Sequence, residues 1–195
     1  MSAHPNIPER SNCIIDSKFL YDSLVDLVLE EEIKQRRISE KRNIRYIPEL
    51  AFVYNFETKL HNSLPGQWAN PIFTACEYNL AHIQNVDFYL NVGEEEILFE
   101  FKMDCHMDKV ARDAHKLIPV LSYGQSAYLI NIKEIDASLL GSVTKDRTKI
   151  LNDKISNARA NPVVDHFDFV SAADNASSVK TRCANVICMW QLSQN

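Results

Sequence analysis

The sequence predicts an α/β domain with a central mixed β-sheet flanked by helices, and three observations carry that expectation. Apolar residues recur at helical spacing in two long segments before residue 61 and again beyond residue 106. Between them lie two β-rich runs separated by a polar, Gly-bearing turn. A strand, a helix and a further strand then follow, a succession that calls for a crossover connection.

Taken in order, Asp16 can cap a first helix whose Leu20, Leu24, Leu27 and Val28 share one face. Lys34, Arg36 and Arg37 suit the negative end of that helix. A second helix is expected to begin at Pro48 and run through Glu49, Leu50, Val53, Phe56 and Leu60 towards a Pro65-Gly66 turn. Its wheel sets Glu49 above Val53, Phe56 and Leu60, on an inward face. The runs Asp87 to Val92 and Ile97 to Lys102, joined through Gly93 and Glu94 to Glu96, read as a β-hairpin.

A third helix carries Val110, Ala111, Ala114, Leu117, Ile118 and Leu121 on one side and precedes a strand from Ala127 to Ile132. Thr144 can cap a fourth helix holding Ile150, Leu151, Ile155 and Ala158 and closed by Pro162. Strands are expected from Val163 to Val170 and from Asn185 to Leu192, with the Ser- and Ala-rich segment between them a loop. Residues 1–15 read as an N-terminal tail and residues 16–195 as a single domain, within the range of one domain at 195 residues.

With 46% hydrophobic and 24% charged residues the composition is that of a soluble globular chain. The longest apolar runs, Tyr128 to Ile132 and Val186 to Trp190, fall far short of the ~18 residues a membrane span needs. The start of the chain lacks the apolar segment of a secretory signal, so a cytoplasmic location is expected. Five cysteines, Cys13, Cys76, Cys105, Cys183 and Cys188, form no CxxC pair, which suits reduced thiols. The net charge of −5 argues against wholesale wrapping of nucleic acid, which needs lysine and arginine, while leaving room for a local basic surface.

Chemistry concentrates in the hairpin. Side chains alternate along a strand, so Glu100 and Lys102 point one way while Phe99 and Phe101 enter the opposite layer. Asp87, on the preceding strand, can approach Glu100 and form a carboxylate pair able to hold a hard cation such as Mg²⁺ through oxygen. Such a cation activates water and stabilises charge on a phosphate, and the adjacent lysine helps position or deprotonate the nucleophile.

Asp87, twelve intervening residues and Glu100-Phe101-Lys102 resemble the PD-(D/E)XK nuclease superfamily, with Val86-Asp87 standing where the family has Pro-Asp. Glu49, following Pro48, resembles that family's additional helical glutamate, and the segment with Asp113, Lys116 and Leu117 resembles the helix after its ExK strand. The likeness covers residues 45–135. It implies a restriction endonuclease-like fold and a Mg²⁺-dependent endonuclease acting on DNA, with Mn²⁺ as a substitute and a homodimer as a natural way to cut two strands. Asp87, Glu100 and Glu49 would be the metal-binding residues, Lys102 the residue assisting the attacking water, and Gln125 an auxiliary.

Plainer readings stand beside this one. A Glu-x-Lys pair on an exposed strand is also a surface ion pair worth ~0–1 kcal/mol. Glu49 suits the first turn of any helix, and Glu57 is a fallback facing less well. Glu94, Glu95 and Glu96 read as a solvated turn, and Cys105, His106 and His115 match no standard zinc spacing. The basic residues of the fourth helix, Lys145, Arg147, Lys149, Lys154 and Arg159, read first as a solvated face. The rival function is a non-catalytic interaction module on the same fold, of immunity or antitoxin type, with a protein partner.

Overall fold

The carboxylate of Asp16 accepts the Lys18 N–H at 2.9 Å and starts α1, Ser17–Ile38, as expected of a cap. The computed structural model describes residues 15–39, 42–63, 72–78, 85–92, 95–123, 125–136, 140–164, 168–171 and 183–194, with side chains for all but 72–78, 122–123, 140–145 and 169–171. The expected N-terminal tail up to residue 14, the Pro65-Gly66 turn, the tip of the hairpin and most of the Ser- and Ala-rich loop lie outside the described residues, while Ile15, expected in the tail, is buried.

The second helix, α2 (Glu49–Ser63), starts one residue after Pro48, whose carbonyl accepts the Phe52 N–H. The strands are β1 (Ile72–Tyr78), β2 (Val86–Val92), β3 (Glu95–Met103), β4 (Ser126–Asp136), β5 (Ala158–Pro162), β6 (Phe169–Ser171) and β7 (Cys183–Gln194). Helix α3 (Met107–Leu117) joins β3 to β4, and α4 (Leu140–Lys154) follows β4. The result is an α/β architecture around one mixed sheet.

The sheet has seven strands in the order β1-β2-β3-β4-β7-β5, with β6 also pairing β7. Among the described residues only the β3–β4 pair is parallel, as a helical crossover requires, and the other pairs are antiparallel. Alternation divides the core. Phe88, Leu90, Ile97, Phe99, Phe101, Tyr128, Ile130, Ile187 and Met189 meet α1 and α2 on one face. Leu98, Leu129, Cys188, Trp190 and Leu192 meet Val110, Ala114, Leu117 and Leu151 of α3 and α4 on the other.

Several expectations are corrected here. Strand β1 has no counterpart in the sequence reading. Thr144 does not start the fourth helix, which reaches back to Leu140. That helix also stops at Lys154: Asn157 takes a positive φ of 62°, turning the chain into β5, where Ala158 and Ala160 are buried on alternate positions. Pro162, read as a helix stop, instead ends an edge strand, where a missing N–H is tolerated. The strand expected over Val163 to Val170 is divided, Val163 donating to the Met189 carbonyl just past β5 and β6 beginning only at Phe169. The acidic turn is not wholly solvated, because Glu95 accepts the Ile15 N–H at 3.1 Å and Glu96 accepts the Tyr89 hydroxyl at 2.8 Å.

Helix α1 is fastened by one buried phenol. The Tyr21 hydroxyl donates to the Ile187 carbonyl at 3.2 Å and accepts the Asp168 N–H at 2.7 Å. Burial raises its pKa far above the ordinary tyrosine range, so it stays a donor. Tyr21→Phe strips two backbone groups of their partner and is expected to cost about 1–3 kcal/mol in urea unfolding. A loss below about 0.5 kcal/mol would mean that water replaces the hydroxyl. No helix among the described residues is long and apolar enough to cross a membrane.

Candidate functional site

Lys102 is the centre of the site. Strand β3 interposes Glu100 and Lys102 among apolar neighbours on the face covered by α3, while Phe99 and Phe101 are buried beneath α2. The Lys102 ammonium lies 3.1 Å from Glu49 Oε1, 3.4 Å from Asp113 Oδ2, 3.7 Å from Asp87 Oδ2 and 3.9 Å from Glu100 Oε2. It also donates to the Phe101 carbonyl at 2.6 Å. Carboxylates from α2, α3, β2 and β3 thus gather on one ammonium. The four residues selected from the sequence, Glu49, Asp87, Glu100 and Lys102, are brought together.

Asp87 and Glu49 are held by the backbone of β3. Asp87 lies one step past the paired residues Phe88 and Phe99, and its Oδ2 accepts the Phe101 N–H at 2.8 Å. Glu49 reaches from the first turn of α2 to accept the Met103 N–H at 3.0 Å. That contact goes beyond the helix-dipole role open to any glutamate at this position. Asn131, paired with Lys102 across β3 and β4, donates to the Lys102 carbonyl at 2.9 Å and accepts from the buried guanidinium of Arg147. Just beyond the strand Asp104 takes a φ of 47°, tolerated by aspartate, and its carboxylate pairs with Lys133 at 2.7 Å.

Glu100 is the anomaly. It is fully buried, and neither carboxylate oxygen has a hydrogen-bond partner. Burial, followed by the charge of Asp87, pushes its carboxyl up to about 8, against the opposing pull of Lys116 and Lys102. Lys102 shifts the other way from what burial dictates: burial opposes its charge, but Asp87 and Glu49 outweigh it and hold the ammonium protonated well above the lysine range. Such an amine is not a proton acceptor near neutral pH. Carboxyl and amine are thus both raised, and strongly perturbed groups gathered in this manner cluster at functional sites.

Helix α3 contributes two residues noted in the sequence only through the family likeness. Lys116 stands 3.6 Å from Glu100 Oε2 and 2.8 Å from Asp113 Oδ1. Asn131 and Arg147 were missed, although one polar residue inside the apolar run from Ala127 to Ile132 was a usable signal. Gln125 is displaced from the site, bonding Glu96 near the opposite end of β3. Cys105 donates its thiol to the Met103 carbonyl at 3.1 Å.

Among the described residues no three carboxylate, imidazole or thiol side chains are disposed around a common point for a metal ion. The reason is local, since the Lys102 ammonium stands among the carboxylates that would converge there. The Glu100 oxygens, which accept no hydrogen bond, nevertheless fit, with Asp87, a hard cation that prefers carboxylate oxygen. Compared with protein-family models, curated proteins and solved structures, the chain gives no significant match.

Proposed function

We propose that this chain is a restriction endonuclease-like, PD-(D/E)XK-type hydrolase that cleaves phosphodiester bonds in DNA with Mg²⁺ or Mn²⁺. The observation that carries the reading is Glu100, a carboxylate buried without a hydrogen bond beside a second carboxylate. A buried polar group without a hydrogen bond costs roughly 1–3 kcal/mol, and the ammoniums of Lys116 and Lys102, 3.6 and 3.9 Å away, stand beyond hydrogen-bond reach, so its retention calls for a ligand. Asp87 and Glu100 would hold the cation with Glu49 completing the set, and the bound ion supplies an activated water and charge neutralisation at the phosphate.

The chain's own residues divide the remaining work. Lys102, kept protonated by its carboxylates, orients the attacking water by hydrogen bonding and stabilises negative charge growing on the phosphoryl oxygens. It does not take the proton. Glu49 ties that ammonium to the end of β3, and Lys116 adds a second cation at the rim. The helices on the site's face, α3 and α4, carry seven basic against four acidic residues, while α1 and α2 carry five against seven. With the buried Arg147 and Asp113 set aside, six basic residues stand against three acidic ones on α3 and α4, which would favour the approach of a polyanion from that side.

One observation favours the interaction module instead: the site carboxylates are ion-paired to Lys102 rather than splayed around an open centre. Calorimetric titration of Mg²⁺ and Mn²⁺ into the wild type, Asp87→Ala and Glu100→Ala, beside plasmid and single-stranded cleavage assays, separates the two. The hydrolase reading expects binding that both variants lose and a fall of roughly 10²–10³ in cleavage rate for Lys102→Met. A folded wild type that neither binds metal nor cleaves belongs to the module.

A further inference from the structure

Asp113 has no part in the chemistry above, yet it is only 7% exposed and both of its oxygens are engaged. Oδ1 lies 2.8 Å from Lys116 Nζ and Oδ2 lies 3.4 Å from Lys102 Nζ. The same two ammoniums share Glu100 Oε2, at 3.6 and 3.9 Å. The carboxyl groups of Asp113 and Glu100 and the two ammoniums therefore close a ring, and Lys102 links it to Glu49 and Asp87.

The ring creates a conflict for any divalent cation arriving at Asp87 and Glu100. Lys102 already lies within 4 Å of an oxygen of each, and like charges at that separation repel strongly where water is scarce. Its ammonium must withdraw without being stranded in a buried setting. Glu49 is nearer, at 3.1 Å, but it is partly exposed and in the metal-dependent reading joins the cation's own ligands, whereas Asp113 is buried, ionically fixed by Lys116 and 3.4 Å from the amine.

We propose, resting on the metal-dependent reading, that Asp113 is a positioning residue that receives the Lys102 ammonium when a divalent cation takes over Asp87 and Glu100. Lys116 holds Asp113 in place for that transfer. The site is thus closed by an internal cation until metal displaces it, and a residue that does not touch the metal contributes to metal affinity. The displaced ammonium remains beside the reacting phosphate.

The test is Mg²⁺ titration by calorimetry into four full-length proteins: wild type, Asp113→Asn, Lys102→Gln and the double variant. Asp113→Asn is expected to weaken Mg²⁺ binding roughly tenfold, in line with the effect of supporting residues at metal sites. Most of that loss is expected to vanish in the Lys102→Gln background, where there is no ammonium to receive. Equal losses in both backgrounds would make Asp113 a ligand or a bulk charge, and no loss would make it a simple ion pair; either overturns the proposal and leaves the metal site standing. A folded wild type that binds no Mg²⁺ overturns the metal reading and this inference with it. Carbon-detected NMR of wild type guards against a variant that fails to fold: the Asp113 carboxyl and Lys102 side-chain resonances should shift together on adding Mg²⁺, and an unmoved Asp113 signal rejects the transfer.

Discussion

Glu100→Gln is expected to abolish metal-dependent cleavage and, at the same time, to stabilise the metal-free protein at pH 8. The two effects share one cause. Folding buries the Glu100 carboxyl completely and raises its pKa from an ordinary 4.5 to about 8, first by desolvation and then through Asp87. Between those values the unfolded chain releases a proton that the folded chain retains. The folded state then binds more protons, so stability falls as pH rises through this window and levels off above it. The full penalty is on the order of 5 kcal/mol.

Glutamine has nearly the shape of the protonated acid and never ionises. Its advantage should therefore be absent near pH 4.5, grow through the window and reach several kcal/mol at pH 8. The check is urea unfolding of both proteins with a chelator present, at pH 5 and pH 8. A pH-independent difference would show that Lys116 and Lys102 keep Glu100 ionised throughout. A destabilised variant would mean that the two ammoniums depend on its charge. Stabilisation accompanied by lost metal binding would identify Glu100 as a group kept for function at a cost to stability.

Why the core of this site was legible follows from periodicity. Side chains repeat every two residues along a strand, so Glu100 and Lys102 had to share a face once β3 was recognised, and the hairpin brought Asp87 opposite. Glu49 followed from the helical wheel, because Val53, Phe56 and Leu60 fixed which side of α2 faces inward. Asp113 and Lys116 were harder. A helix of mixed charge presents many candidates, and only packing against β3 decides that this aspartate is buried among ammoniums rather than solvated.

The third layer of residues was beyond reach for a different reason. Arg147 looked like one more basic residue on a solvated face, but α4 begins at Leu140 and ends at Lys154, and its packing turns that guanidinium inward to Asn131. The misplaced helix ends have the same origin. Ile155 and Ala158 continue a helical apolar pattern that serves a strand equally well, and the reversal at Asn157 left no turn signature of the Gly or Pro kind. Strand β1 was missed because Ile72–Tyr78 mixes apolar and polar residues without strict alternation, and its partner β2 defines its place.

Phe56→Ala is the second large effect, and it links the apolar core to the chemistry. Phe56 is fully buried, with ring centroids 5.8 Å from Phe88, 5.9 Å from Phe99 and 5.4 Å from Phe101 in edge-to-face contacts. Truncation removes most of a large side chain from a packed layer and is expected to cost about 3–5 kcal/mol. Phe99 and Phe101 flank Glu100 and alternate with Glu100 and Lys102 on β3, while Phe56 shares α2 with Glu49. Loosening this cluster therefore lets α2 shift against β3, which stretches the Glu49 contacts to Lys102 Nζ and Met103 N–H. Under conditions where the variant remains folded, cleavage should fall further than the folded fraction explains. Denaturant unfolding together with a cleavage assay corrected for folded protein measures both. Normal activity per folded molecule would show that the strand alone, and not the docking of α2, sets the geometry of the site.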